Sequence, residues 1–438
     1  MSLPASVNYA EPMATLPENT QSFSVVSTSL NGSVFGPSSQ IIVDLGNRGF
    51  LDPASLYFRY KVTWTSPGVT SIANARIVGT PAYTPILRVD TLVNSQTIET
   101  INNYNTVANI HTNLALSVAD KLGQQYSLGY GLLSADGLAN EDTDGSSFVT
   151  AASGGGSTTF TRAYSAPLIS MLGFSDKLLP LFLMNNTRFV FTLDTAGNCG
   201  LQTATATDAL ISNFSITNFE VVYNCVDMGP AVERDVASMN PKIRIKTSSY
   251  ASGIAPQIPA SSSGSTSLSF NMRYASVKAV ILACAGAGAN SANRLMDALD
   301  VTAGNGDYQF VIGGINYPQR SLSTLNNKAG LMMELRRVMG TIFGNTVAMA
   351  ITADEFNAST LAATSYNKPG KFWVGSCLQK LTVASRSFFT GVSTQLSPIQ
   401  VNINLGYSNN QVVTPVLVLW YDAVIELDSV THQILMIQ

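Results

Sequence analysis

The residue types able to do chemistry near neutral pH are sparse and scattered. A nucleophilic mechanism needs a base beside a Ser or Cys, the arrangement a Gly-x-Ser-x-Gly elbow would mark; the chain has two histidines, His111 and His432, and no such elbow. His111 sits in a stretch of helical spacing and His432 in a C-terminal tail, so both read as packing or surface residues, and two distant imidazoles make no metal site. The run from Val277 to Ser291, with Gly286 and Gly288 after an apolar stretch, imitates a dinucleotide fingerprint. Ser291 stands where the third glycine is needed and no βαβ alternation surrounds it, so the expectation is a Gly-rich inter-strand loop leading into a helix-like Ser291 to Leu299. Glu141-Asp-Thr-Asp144-Gly145 imitates a calcium loop, but Ser153 falls at the twelfth position, where a bidentate Glu is required. Cys199, Cys225, Cys284 and Cys377 lack CxxC spacing and read as buried free thiols in a reducing compartment. No catalytic, cofactor-binding or metal residue is therefore assigned, and the chain is read as no enzyme.

With chemistry set aside, composition bounds the class. The chain has 438 residues, a length natural for two domains of about 200 residues each. Charged residues make up 12% and hydrophobic ones 45%, with Gly, Ser, Thr and Asn abundant. A dispersed monomer normally carries more charge, so this surface reads as one largely consumed by contacts with copies of itself or with partners. Net charge is −3, and Met1 to Phe23 holds two Glu and no basic residue, so no arm for condensing nucleic acid is present. Neither a signal-like apolar core after Met1 nor an apolar run of about 18 residues occurs, and the chain is read as soluble and made in the cytosol.

The elements that would position these residues are strands, and they recur. Tyr223-Asn-Cys-Val226 lies against Tyr421-Asp-Ala-Val424, an offset of 198 positions (421 − 223). Upstream, Leu92 to Ile98 and Phe310 to Asn316 are paired apolar arms around Asn94-Ser95 and Gly313-Gly314, an offset of 219 (313 − 94). Each hairpin leads into a helix-compatible stretch, Ile101 to Leu122 in the first copy and Ser323 to Met339 in the second. Leu56, Phe58, Tyr60, Val62 and Trp64 share one parity of a half-buried strand. Further strands are expected at Ser22 to Thr28, Gln40 to Leu45, Arg188 to Asp194 and Leu210 to Asp227, with a short helix in Pro167 to Met184. A linker at Gly229 to Pro241 precedes strands at Lys242 to Ser248, Leu268 to Tyr274, Val277 to Cys284, Tyr308 to Tyr317, Lys371 to Val383, Pro398 to Leu405 and Val412 to Leu427. The fold class is all-β: two tandem jelly-roll β-sandwiches with short helices in inter-strand loops. The division is 1–20 as an N-terminal arm, 21–235 and 236–428 as the two jelly rolls, and 429–438 as a C-terminal tail.

Asn47 to Pro53 with Leu56 to Trp64, Val93 to Tyr104, Lys177 to Phe182 before Arg188 to Asp194, and the closing Trp420-Tyr421-Asp422 stand in an order that resembles the double-jelly-roll major capsid proteins of tailless icosahedral DNA viruses, closest to those of Polinton-like viruses and virophages. The resemblance implies a structural protein of the virion, three chains forming a pseudo-hexagonal capsomer, and outward towers made by long loops, here Gly123 to Tyr164 and Asp354 to Lys368. Implied partners are the chain itself as a homotrimer, neighbouring capsomers, penton and minor capsid proteins, and an internal membrane, with no sequence-specific nucleic-acid binding. The arm and the tail Ser429 to Gln438 would tie neighbouring capsomers or contact an inner layer. The rival readings are a single-jelly-roll viral coat protein and a β-sandwich carbohydrate-binding or adhesive protein. Trp64, Trp373 and Trp420 lie inside strand candidates, which favours core over sugar platform.

Overall fold

The computed structural model describes residues 17, 20–66, 75–77, 79–129, 148–149, 158–201, 211–288, 291–302, 304–325, 327–339, 349–356, 370–380, 387–405 and 412–438. Two sandwiches of eight principal strands each follow one another along the chain. The first uses β1 (Gln21–Thr28), β2 (Gln40–Asp44), β3 (Tyr57–Ser66), β4 (Ile86–Val93), β5 (Gln96–Asn102), β6 (Thr158–Pro167), β7 (Arg188–Leu193) and β8 (Asn213–Asp227). The second uses β9 (Lys242–Ile254), β10 (Gly264–Phe270), β11 (Val277–Gly288), β12 (Asp307–Ile312), β13 (Ile315–Ser323), β14 (Trp373–Cys377), β15 (Ile399–Leu405) and β16 (Val412–Asp428). In the first, one sheet runs β6-β3-β8-β1 and the other β2-β7-β4-β5. In the second, the orders are β14-β11-β16-β9 and β10-β15-β12-β13. Each strand of the first sandwich therefore has its counterpart eight strands later, with the same neighbours. These are two jelly rolls, and the fold is a double jelly roll.

Period-2 patterning builds the first core. Leu56, Phe58, Tyr60, Val62 and Trp64 are all buried, as the alternation predicts. Phe219 stacks on Phe58 at 5.8 Å and meets Phe191 at 4.7 Å, which joins the two sheets through one aromatic cluster. In the second sandwich β16 is buried along almost its whole length, the condition that a continuous Val-Leu-Val-Leu run satisfies and an alternating one does not. Helix α4 (Lys328–Val338) covers part of this sandwich by lying on β14. A Cβ at Gly375 would stand 2.7 Å from Val338, so only glycine lets helix and strand approach so closely.

The two hairpins of the repeat are the β4–β5 and β12–β13 turns. Asn94 and Ser95 have φ of 52° and 64°, and Gly313 and Gly314 have 59° and 79°, the left-handed pair that a two-residue turn needs to match strand twist.

Several expectations are corrected. Pro167 to Met184 holds no helix but turns around the short extended pair Leu179–Pro180, which bonds to Phe50–Leu51. The linker at Gly229 to Pro241 carries helix α3 (Pro230–Met239), started by proline at its first turn and buried nowhere. The glycines Gly286 and Gly288 lie within β11 rather than in a loop, and Ser291–Ala298 is a strand returning along it rather than a helix. β-pairing outweighs local helical spacing there. The helix expected over Ile101 to Leu122 is broken into α1 (Tyr104–Ala115) and α2 (Val118–Gly123). The tail is not free: Ile434–Ile437 pairs antiparallel with Val424 to Leu427 of β16. Most of the two tower candidates, including Glu141 to Asp144, lies outside the described residues.

Candidate functional site: the seam between the sandwiches

A set of buried polar groups lies where the first sandwich meets the second. β5 supplies Glu99. A bulge at the β4–β5 pairing, where Leu92 faces Thr97 but Thr91 faces Glu99, sets both Ile98 and Glu99 inward. The Glu99 carboxylate accepts hydrogen bonds from Thr91 Oγ1 at 2.8 Å, Ser170 Oγ at 2.6 Å and the Met171 amide at 2.8 Å. Its fourth donor, the Ser249 hydroxyl, comes from β9 of the other sandwich. Burial drives the Glu99 pKa above the usual carboxylate range, and these hydrogen bonds offset only part of that rise. A carboxylate fully surrounded by donors from both sandwiches fixes their register, because displacing either one strips a partner from a buried charge.

α1 adds a second contact. Ten of its twelve residues are buried, against three of eleven in α4. His111 Nδ1 shares a 2.8 Å hydrogen bond with the Tyr250 hydroxyl of β9, and both rings meet Phe174 edge-on, at 5.7 Å and 5.9 Å. Burial lowers the His111 pKa to about 4, so the imidazole is neutral at pH 7. Thr247 donates to the Met171 carbonyl, Ser252 donates to the Asn102 carbonyl at 2.6 Å, and the Asp176 amide donates to the Lys246 carbonyl at 3.1 Å. These bonds run through hydroxyls and isolated amides, so the two edge strands β5 and β9 meet without forming a ladder.

A third patch joins α2 to the second sandwich. Lys121 donates to Asn113 Oδ1 at 2.6 Å, and Lys371 pairs with Glu355 at 2.5 Å. Burial, then the nearby Lys371 charge, push the Lys121 ammonium down to about 6. Burial works to raise Glu355, but Lys371, the Thr352 amide and Lys121 outweigh it and hold the carboxyl below its usual range. The Ala350 amide donates to the Asn113 carbonyl at 2.8 Å and completes this end of the seam.

The residues weighed from sequence fall as follows. His111 and His432 do not meet: the first is in the seam, while the second is an exposed turn residue whose carbonyl accepts from Asn94. The four cysteines are free, with Cys199, Cys225 and Cys284 buried, and burial raises the thiol pKa of all three. Trp64 and Trp373 are core residues. Trp420 is only half-buried, with the Lys278 ammonium 3.7 Å over its ring and Tyr250 stacked at 6.2 Å. Asp422 beside it is fully buried and accepts from Ser276, from the Thr390 hydroxyl and from the Thr390 amide, with Lys278 at 3.6 Å. Sequence reasoning missed Glu99, Ser249, Tyr250 and Thr247. A lone Glu in a β-branched run, Thr-Ile-Glu-Thr-Ile, was the one available signal for the first of these.

The two sandwiches do not present equal edges. Lys246 to Ala251 of β9 are almost all buried, with Thr247, Ser249 and Tyr250 bonded to the first sandwich, whereas β1, which holds the same place in the first sandwich, is exposed along most of its length. β5 is buried at Ile98, Glu99 and Ile101, whereas its counterpart β13 is largely exposed.

No family model and no curated protein matches this chain. Solved structures do. The Faustovirus major capsid protein is similar over 94% of this chain and 91% of its own, with 9% identity and a TM-score of 0.61. The mavirus major capsid protein covers 100% and 95% at 9% identity and a TM-score of 0.57. A structure of the Sputnik virophage is similar over 97% and 89%, with 12% identity and a TM-score of 0.58. At these identities the likeness is one of fold, and it spans both sandwiches.

Proposed function

We propose that this chain is a major capsid protein that builds an icosahedral virion shell from trimeric, pseudo-hexagonal capsomers. The observation that carries the reading is the seam: two jelly rolls are joined side by side in one chain by Glu99, His111 and Asn113, in a fold similar over nearly full length to major capsid proteins. Such a unit is a bonded pair of sandwiches, and three of them offer six sandwiches for a ring. The 12% charged composition supports this, since lateral contacts that desolvate Ser, Thr and Asn cost less than contacts that bury unpaired ions. Function is then assembly, with no reaction to catalyse.

In this reading the sandwiches comprise 21–235 and 236–428, the chain lies in the virion after synthesis in the host cytoplasm, and penton proteins, minor capsid proteins and an internal membrane are its further neighbours. The stretches 123–164 and 354–368 belong mainly to the equivalent β5–β6 and β13–β14 connections, the place from which towers would rise on both sandwiches. The test is the mass of the purified protein by light scattering across a concentration series, followed by negative-stain imaging. A compact trimer of sixfold outline, or closed shells, is the expected result. A monodisperse monomer at high concentration would overturn the reading and direct attention to glycan-binding screens.

A further inference from the structure

One end of the seam holds a lysine amine and a carboxamide in direct contact. Ser117 and Asp120 cap the start of α2 reciprocally: the Ser117 amide donates to Asp120 Oδ2 at 3.0 Å, and the Asp120 amide donates to Ser117 Oγ at 3.0 Å. This cap fixes the turn between α1 and α2, and Lys121, the next residue, reaches back to Asn113 near the end of α1. Asn113 is fully buried, and Lys121 and Lys371 are exposed by only 9% and 6%. Lys121 Nζ stands 2.6 Å from Asn113 Oδ1, so with a carbonyl bond of ~1.2 Å it lies at most about 3.8 Å from Cγ, close to the ~3 to 3.5 Å of a near-attack pair. The carboxamide is clamped from its other side, where Nδ2 donates to the Asn109 carbonyl at 2.6 Å and to Asn109 Oδ1 at 2.9 Å. The second sandwich brings Lys371 and Glu355, paired at 2.5 Å, and the charges of both act on Lys121. Two lysines share one carboxylate here, and burial, then the Lys371 charge, leave Lys121 neutral near pH 7. A neutral amine against a carboxamide, in a place closed to water, is a nucleophile facing an electrophile.

From this geometry we propose that Lys121 and Asn113 join in an intramolecular isopeptide bond that the folded chain forms by itself. The Nζ lone pair attacks Asn113 Cγ, and the new Cγ–Nζ bond pushes the carbonyl electrons onto Oδ1, a charge that the neighbouring Lys371 ammonium stabilises. Glu355 takes one proton from Nζ and delivers it to Nδ2. The carbonyl re-forms as the Cγ–Nδ2 bond breaks, and ammonia leaves. One amine and one carboxamide become one secondary amide and one ammonia, and no oxidant, metal or co-reactant enters. Nucleophile and electrophile belong to the first sandwich, Glu355 and Lys371 to the second, so the reaction waits until the two have docked. The product ties α1 to α2 covalently at the point where the Ala350 amide of the second sandwich donates to the Asn113 carbonyl at 2.8 Å. The titration of Lys121 belongs to the chain before this reaction, and the proposal does not rest on the capsomer reading.

The test is the intact mass of the soluble full chain, aged for days at pH 7, beside chain kept in denaturant since its synthesis. The expected result is the loss of one ammonia, about 17 Da, in the folded chain alone. Trypsin should then fail to cut after Lys121 and release residues 89–162 as one peptide, in which fragmentation yields no separate ions from cleavage between Asn113 and Lys121. Refolding the denatured chain starts the reaction and gives its rate, with circular dichroism to follow the fold. That rate should fall about tenfold from pH 7 to pH 5, as Lys121, with its pKa of about 6, takes up a proton. Glu355→Gln should slow the reaction by at least about 100-fold, and Glu355→Asp, which keeps a carboxylate for Lys371, by less. An aged, folded wild type of full mass would overturn the proposal. So would an ammonia loss that maps to another asparagine or persists in Lys121→Met. A rate indifferent to pH would overturn the amine as nucleophile, and one unchanged in both Glu355 variants would overturn the proton route.

Discussion

At the scale of single residues, the seam works through buried titratable groups whose shifts oppose one another. His111 is held at about 4, below its ordinary 6.5, so between those values the unfolded chain binds a proton that the folded chain refuses. Its contribution to stability is complete above pH 6.5 and is lost as pH falls through 4, about 3 kcal/mol in all at roughly 1.4 kcal/mol per unit. Glu99 has the opposite sign. Its folded pKa is raised, so its contribution is complete below the ordinary carboxyl value of 4.5 and is lost as pH rises through the folded pKa. Denaturant unfolding at pH 4.5 and 6.5 should therefore give His111→Gln a flatter acid limb than wild type, and Glu99→Gln a relative gain that grows with pH. Lys121, depressed to about 6, sheds stability as pH falls from 10.5 towards 6. Lys121→Met should stabilise the protein more at pH 6 than at pH 9, by up to about 1.4 kcal/mol per unit of pH, measured the same way.

At the scale of elements, turns and close approaches decide where strands can go. Gly313 and Gly314 occupy the left-handed pair of the second hairpin, while the first hairpin fills the same pair with Asn94 and Ser95. Ser95→Gly should raise the unfolding free energy by about 0.5 to 1 kcal/mol, since Asn-Gly suits that turn better, and Gly314→Ala should lower it by about 1 kcal/mol. Thermal melts of the two variants check both signs. Asp422→Ala leaves Lys278 buried without its carboxylate and should cost about 3 to 5 kcal/mol, seen as a lower denaturation midpoint with an unchanged slope. Elements were also where local patterns misled. Ser291–Ala298 has helical texture yet pairs with β11, and α3 arises in a stretch whose prolines read as a linker. Pairing across a sheet is a non-local gain that sequence windows cannot weigh.

At the scale of the whole molecule, the low charge, the duplicated sandwiches and the unequal edges point one way. Among the described residues, β5 and β9 are buried against each other while β1 and β13 are largely exposed. Apolar edges weaken on cooling, because burial of apolar surface near room temperature is driven by entropy. The concentration at which the assembly half-dissociates should accordingly rise between 25 °C and 4 °C and change little between 0.05 and 0.5 M salt, as read by light scattering. A strong salt dependence would instead assign the contact to charges.

The sequence by itself determined the fold class and the twofold repetition. Alternation in Leu56 to Trp64 set the faces of a strand, the Asn94-Ser95 and Gly313-Gly314 turns marked equivalent hairpins, and the continuous run Val416 to Leu419 required a strand buried on both faces. These are local properties, written in residues a few positions apart. The tertiary structure alone decided which polar residues would matter. Glu99 and Ser249 are 150 positions apart, and nothing near either tells that a carboxylate on one sandwich will meet a hydroxyl on the other. The same holds for the exposed edges: β1 and β9 carry similar Ser-rich textures, and only the arrangement of the two sandwiches buries one of them and leaves the other exposed.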